Sequence, residues 1–262
     1  MTRPTWRLLS DGDLPGARNM ARDVALLESV SENRGAPTLR LYGWSPPCLS
    51  LGRHQGVNAA DLDFCAEHGI DVLRRPTGGR ALLHHLELTY SLVAPLGRGP
   101  IPRHMQEVYR RICEPLVTAC RTLGVRAELT TGEVNLQLPG PASTVPCFQA
   151  PAGGEVVVAG RKLIGSAMRS HLGAILQHGA ILLDWDSEMQ AGSMGLDNDR
   201  LLRPTITTFA EQLGSAPELD QLGNALIKAF SDHLGVHFEA GEPSVAESAR
   251  EEELINTFDI QR

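Results

Sequence analysis

The spacing of apolar positions predicts a mixed set of helices and strands. Met20, Val24 and Leu27 recur at helical intervals, which predicts a helix over 17–32. Leu39-Arg40-Leu41-Tyr42 alternates as a half-buried strand does, and Cys48-Leu49-Ser50-Leu51 reads as a second. A short helix over 59–68, a strand at Asp71-Val72-Leu73 and a strand from Thr89 to Ala94 follow. Met105, Val108, Ile112, Leu116 and Leu123 mark a long helix, bent at Pro115. Glu155 to Val158 and Arg161 to Ile164 form a hairpin about Ala159-Gly160, and Ala174 to Leu183 reads as two strands broken at Gly179. Leu222, Leu226, Phe230 and Leu234 define a late helix, and Ser244 with Glu247 makes a capping-box pattern for a last acidic one. These elements do not alternate regularly, which predicts α+β, with a mixed, largely antiparallel sheet packed with helices.

Residues 125–154 break the pattern. They are rich in Gly, Pro, Ser and Thr, with one candidate strand at Val134–Leu138. Connections of this length in compact domains are often functional. No internal repeat or marked linker divides the chain, so a single catalytic domain over 1–262 is expected, with a core over about 6–240 and an acidic helix over 241–262.

Composition narrows the class. Of 262 residues, 42% are hydrophobic and 21% charged, as in ordinary globular proteins. No apolar run approaches the roughly 18 residues of a membrane span. Met1 to Trp6 lacks an apolar signal core. A net charge of -7 argues against a general nucleic-acid binder. Five irregularly spaced cysteines with no CxxC pair point to reduced thiols in the cytoplasm, and to neither a disulfide framework nor a metal site. Cys48, Cys65, Cys113 and Cys120 read as small buried hydrophobes.

Two segments concentrate chemistry. The first runs Arg74-Arg75-Pro76-Thr77-Gly78-Gly79-Arg80-Ala81-Leu82-Leu83-His84-His85. Adjacent glycines let backbone approach a ligand and turn N–H groups to an oxygen, while arginines add forked hydrogen bonds. The plain alternative is a tight turn with solvated arginines. The second runs Gly160-Arg161-Lys162-Leu163-Ile164-Gly165-Ser166-Ala167-Met168-Arg169, followed by Gln177-His178-Gly179. Lys162 is either a solvated lysine on an exposed strand or a cation placed against an acyl carbonyl, phosphate or thiolate. Gly165, Ser166 and Ala167 leave room for a ligand beside the strand. His178 is either a structural imidazole or a catalytic one. Between the segments, Cys147 sits in the polar, Pro-rich loop as Pro146-Cys147-Phe148, a setting suited to an acyl-accepting thiol that a nearby lysine can activate.

With these motifs in order, the chain resembles the lipoate–protein ligase and octanoyltransferase family. Arg74 to Ala81 with His84 is similar to its arginine–glycine signature, Gly160 to Ala167 to its lysine motif, and Gln177 to Leu183 to the strand that follows. Asn19-Met20-Ala21 and the stretch Leu39 to Gly52 agree, so the resemblance spans about residues 6–240. It implies an α+β fold shared with biotin ligases, an apolar acyl tunnel, and a hairpin lysine touching the acyl carbonyl. It also implies an acceptor lysine on a lipoyl domain or glycine-cleavage H-type carrier protein. Met168, His85, Arg22 and Val24 depart from the usual pattern, and Met168 puts the acyl-donor contacts in question.

Within the family, Cys147 just before Phe148, the stretch Leu86-Glu87-Leu88-Thr89-Tyr90-Ser91 and Arg80 resemble the cysteine-dependent octanoyltransferases. So does a chain that ends soon after the catalytic domain, without the accessory domain of many ligases. That resemblance implies octanoate delivered by acyl carrier protein, a thioester on Cys147, and Lys162 holding the thiolate. Gly78 and Gly79 would supply donors to the oxyanion. Neither metal nor other cofactor is then required. A basic patch at Arg74, Arg75 and Arg80 would receive the acidic donor. The rivals are an ATP- and Mg-dependent lipoate ligase, an amidotransferase between carrier proteins, and a non-catalytic binding module.

Overall fold

The computed structural model describes residues 3–130, 154–258 and 260. Its strands are β1 (Thr5–Leu14), β2 (Thr38–Trp44), β3 (Cys48–Leu51), β4 (Asp71–Arg74), β5 (Leu82–His84), β6 (Glu87–Pro95), β7 (Glu128–Leu129), β8 (Val156–Val158), β9 (Arg161–His171), β10 (Ala174–Leu182) and β11 (His237–Ala240). The helices are α1 (Gly16–Ser31), α2 (Leu62–Glu67), α3 (Met105–Thr122), α4 (Ser187–Gly192), α5 (Phe209–Leu213), α6 (Leu219–Leu234) and α7 (Val245–Ile255).

The large sheet runs β11-β1-β2-β6-β10-β9-β8-β7. Only β11 with β1 and β1 with β2 pair in parallel, and the remaining neighbours are antiparallel. A smaller sheet, β4-β3-β5, stands apart. The α+β expectation, with a mixed and largely antiparallel sheet, holds.

Side-chain alternation along β10 sorts the two faces. Ile175 and Ile181 join Ile112, Leu116, Leu226 and Phe230 in the core beneath α3 and α6. Leu176 points the other way, packing with Leu26, Leu27 and Val30 of α1. His178 shares that second face because strand residues two apart point alike. With both faces covered, β6 and β10 are buried along nearly their whole length rather than at alternate positions.

The expected break at Gly179 does not occur. Ala174 to Leu182 is one strand, registered on β6 and β9 throughout. Glycine is needed there for space: a Cβ would lie 2.7 Å from each of the Gly165 carbonyl oxygen, Ser166 Oγ and Tyr90 Cε1. Pro115 sits inside α3 without ending it. The β8–β9 turn holds Ala159 at φ 49° and Gly160 at φ 77°, as a two-residue type I′ hairpin requires.

The last helix has its capping box. Ser244 Oγ accepts from Glu247 N at 3.2 Å, and Glu247 Oε2 accepts from Ser244 N at 2.7 Å. Arg7 also donates to both oxygens of Glu247, pinning α7 to β1, beside the edge strand β11. The candidate strand Val134–Leu138 lies outside the described residues.

Candidate active site

Arg75 organises the turn between β4 and β5. Its guanidinium is buried and donates to Gly78 O (3.1 and 2.7 Å), Arg80 O (2.8 Å), Ser50 O (3.0 Å) and Ser50 Oγ (3.2 Å). Arg74 likewise turns inward, donating to the carbonyls of Gly52 and Gln55. The expected basic patch of Arg74, Arg75 and Arg80 is therefore corrected. Two of the three guanidiniums bind backbone, because a looped chain exposes carbonyls that need donors. Gly79 takes φ 96°, and it lies so close to Gly52 that a Cβ there would stand 1.9 Å from the Gly79 oxygen. Ala81 is buried in the small sheet's core.

Thr77 ties this turn to the large sheet. Its hydroxyl lies 2.7 Å from His178 Nε2, and His178 Nδ1 lies 3.1 Å from Asp23 Oδ2. Asp23 is fully buried on α1 and also accepts from Arg40 Nη1 (2.9 Å), Ser91 Oγ (2.8 Å) and Tyr42 OH (3.1 Å). Burial opposes ionisation of Asp23, but the hydrogen bond from His178 and the charge of Arg40 together hold its pKa below the usual value. Burial pushes the His178 pKa down, against the pull of Asp23. A neutral ring beside an ionised Asp23 carries its proton on Nδ1. Nε2 is then an acceptor, and the Thr77 hydroxyl donates to it.

His84 is the second imidazole. Its Nδ1 donates to Glu87 Oε1 at 2.8 Å, its Nε2 meets Ser50 Oγ at 2.8 Å, and its ring stacks on Trp44 at 3.9 Å between centroids. Thr89 donates to the same Glu87 oxygen at 2.6 Å and accepts from Trp44 Nε1 at 2.7 Å.

Between these groups lies a narrow, mostly apolar cleft, partly open to solvent, with a cavity volume of about 30 Å³. Met20, Tyr42, Trp44, Leu82 and Ala180 form its apolar wall. Of the residues singled out in the sequence, Arg75, His84, Gly165, Ser166, Ala167, His178 and Gly179 border it. The pairing of Ala167 with His178 and Gly165 with Ala180 holds the second segment together, and the Thr77–His178 hydrogen bond brings it to the first. Arg74, Thr77, Gly78, Gly79, Arg80 and Ala81 stand behind or beside that lining.

Lys162 differs from the exposed strand lysine that its sequence suggests. It is 1% exposed, and its ammonium lies 2.8 Å from Glu155 Oε1. Cys147 lies outside the described residues. Burial raises the thiol pKa of Cys48 well above its usual value, of Cys65 to about 11, and of Cys113 and Cys120 to about 12. These four are the buried, unreactive thiols expected.

Sequence reasoning passed over Asp23, Arg40, Glu87 and Glu155. Asp23 carried a signal: a carboxylate on the apolar face marked by Met20, Val24 and Leu27 needs a buried partner. Arg40 sent no such signal, because its place between Leu39 and Leu41 reads as the outward face of a half-buried strand.

Comparison with known proteins agrees with this geometry. Residues 15–231 match the lipoyl protein ligase A/B catalytic domain model. A curated relative from Kyrpidia tusciae, named octanoyltransferase LipM, is 39% identical, with 97% of this chain and 96% of the relative covered. The octanoyltransferase LipM of Bacillus subtilis is 36% identical over 94% and 92%. A crystal structure of lipoate-protein ligase A bound with ATP superposes with a TM-score of 0.78 at 26% identity, covering 96% of this chain and 94% of that one.

Proposed function

The chain belongs to the lipoyl protein ligase A/B catalytic domain family, and within it we propose that this protein is an octanoyltransferase of protein lipoylation. The observation that carries the reading is the cleft. It is a narrow, mostly apolar slot bordered by both motif segments, with Arg75, His84 and His178 as its polar points. The nearly full-length likeness to proteins named octanoyltransferases supports the acyl group and the reaction.

In this reading octanoate arrives as a thioester on acyl carrier protein. The Cys147 thiolate attacks the carbonyl, a thioester to Cys147 forms, and the carrier leaves as its thiolate. The amine of a lysine on a lipoyl domain or glycine-cleavage H-type protein then attacks. An amide forms, the amine loses its proton, and Cys147 leaves as thiolate. Lys162 supplies positive charge to that thiolate and to the oxyanion. Arg75 and the Thr77–His178–Asp23 chain hold the cleft's wall in position for the acyl chain. No cofactor takes part, and the protein works in the cytoplasm.

One observation favours a second reading. The likeness to an ATP-bound lipoate-protein ligase allows activation of free acid by ATP and Mg in the same fold. The deciding experiment supplies a lipoyl domain with octanoyl–acyl carrier protein or, separately, with octanoate, ATP and Mg. Modification from the carrier thioester without ATP supports the transferase. Modification only with ATP and free acid overturns it.

A further inference from the structure

Two arginines near the cleft, outside its lining, take no part in the roles above. Arg53 follows β3, and its backbone N–H donates to Thr77 O at 2.9 Å, which fixes it beside the turn. Arg169 lies on β9, two residues beyond Ala167 of the cleft lining and therefore on the same face. At strand rise this puts its Cα about 7 Å past the lining. Arg53 is exposed and Arg169 half-buried.

Their surroundings differ from those of the ion-paired arginines. Arg7, Arg22, Arg40, Arg161, Arg203 and Arg250 each pair with a carboxylate. Among the described residues, neither Arg53 nor Arg169 has a carboxylate within ion-pair distance. Burial and then the charge of Arg53 both lower the Arg169 pKa, and only Glu28, itself paired with Arg250, opposes them. Arg53 is held by the turn that bonds His178, and Arg169 follows the residue that pairs with His178, so both positive charges sit beside the apolar slot, where an anion would offset them.

We propose that Arg53 and Arg169 bind the phosphate of the donor's phosphopantetheine arm while the acyl chain lies in the cleft. The inference rests on the transferase reading, since only a thioester donor carries that arm. Forked guanidinium donors suit phosphate oxygens, and the pair would hold the arm at its phosphate end while the acyl chain at its other end enters the cleft first. Carboxylates of the carrier protein are the competing anion, and small-molecule donors separate the two.

The test compares octanoyl-phosphopantetheine with octanoyl-pantetheine, which lacks the phosphate, at low ionic strength. The wild-type protein should prefer the phosphorylated donor in kcat/KM by about tenfold or more. In R53Q/R169Q that ratio should fall towards one, mainly through KM, with an unchanged melting curve. A wild-type ratio near one, or a ratio preserved in the variant, overturns the assignment. A raised KM for octanoyl–acyl carrier protein with no effect of the small donors' phosphate also overturns it, and points to carrier carboxylates instead. If the wild-type protein uses no thioester at all, the transferase reading falls and this inference with it. Thioester turnover indifferent to phosphate removes this inference alone.

Discussion

His178 and His84 border the same cleft, and each gives a ring nitrogen to a buried carboxylate, but the two carboxylates are differently engaged. Asp23 takes four donors over its two oxygens: Arg40 and Ser91 on Oδ1, Tyr42 and His178 on Oδ2. Glu87 takes His84 and Thr89 on Oε1, while its buried Oε2 meets no hydrogen-bond partner among the described residues. A fully engaged carboxylate acts as a strut, fixing the His178 tautomer and through it the Thr77 hydroxyl. A carboxylate with one idle oxygen leaves the His84 side able to adjust. The difference teaches that a histidine near a motif says little by itself. What stands behind the ring decides whether it is framework.

Isosteric amides break this comparison most directly. Asp23→Asn sets an NH2 group against two of four donors and strips Arg40 of a buried counter-charge, so it should destabilise by about 3–5 kcal/mol. Urea unfolding measures it, and a loss below about 1 kcal/mol would mean the strut is not one. Lys162→Ala extends the contrast to the third buried pair. It leaves the Glu155 carboxylate facing an emptied site, so a loss of about 3 kcal/mol is expected, with transfer abolished. Lys162→Met combined with Glu155→Gln should recover much of the stability and none of the activity. Recovered turnover in the double variant would remove Lys162 from the chemistry.

The pH dependence tests the His178 side at smaller scale. Burial lowers the His178 pKa in the fold, so from about pH 6.5 downward the unfolded chain binds a proton that the folded chain refuses. Stability therefore falls as pH drops below that value, until the folded ring also titrates. His178→Gln should flatten this part of the stability–pH curve, and an unchanged slope would show that another group sets it. Glu87→Gln should have the smallest effect, within about 1 kcal/mol, because Oε1 can still accept from His84 and Thr89.

Much of the framework was legible from periodicity. α1, α3, α6 and α7 follow their apolar spacing and caps, and the hairpin follows its Ala159-Gly160 turn. β1 and β11 were not found. β1 places Arg7, Ser10 and Asp11 among its apolar residues, and its partner β11 is short and largely exposed. Gly179 read as a breaker because sequence cannot show Gly165, Ser166 and Tyr90 crowding it from neighbouring strands. The two motif segments were visible as compositions. Their arginines' inward direction was not, because it depends on carbonyls of Ser50, Gly52 and Gln55 far along the chain. Lys162 looked exposed for a related reason: Glu155 lies across the hairpin, where spacing alone does not announce a pair.

The central claim is that acyl transfer passes through a thioester on one thiol. Octanoyl–acyl carrier protein, mixed with this protein alone and without ATP or acceptor, should add the mass of one octanoyl group. Peptide mapping should place it on Cys147, hydroxylamine should release it, and Cys147→Ser should abolish it, while serine at Cys48, Cys65, Cys113 or Cys120 should not. An unlabelled wild-type protein, with Cys147→Ala modifying a lipoyl domain at full rate, would contradict the account.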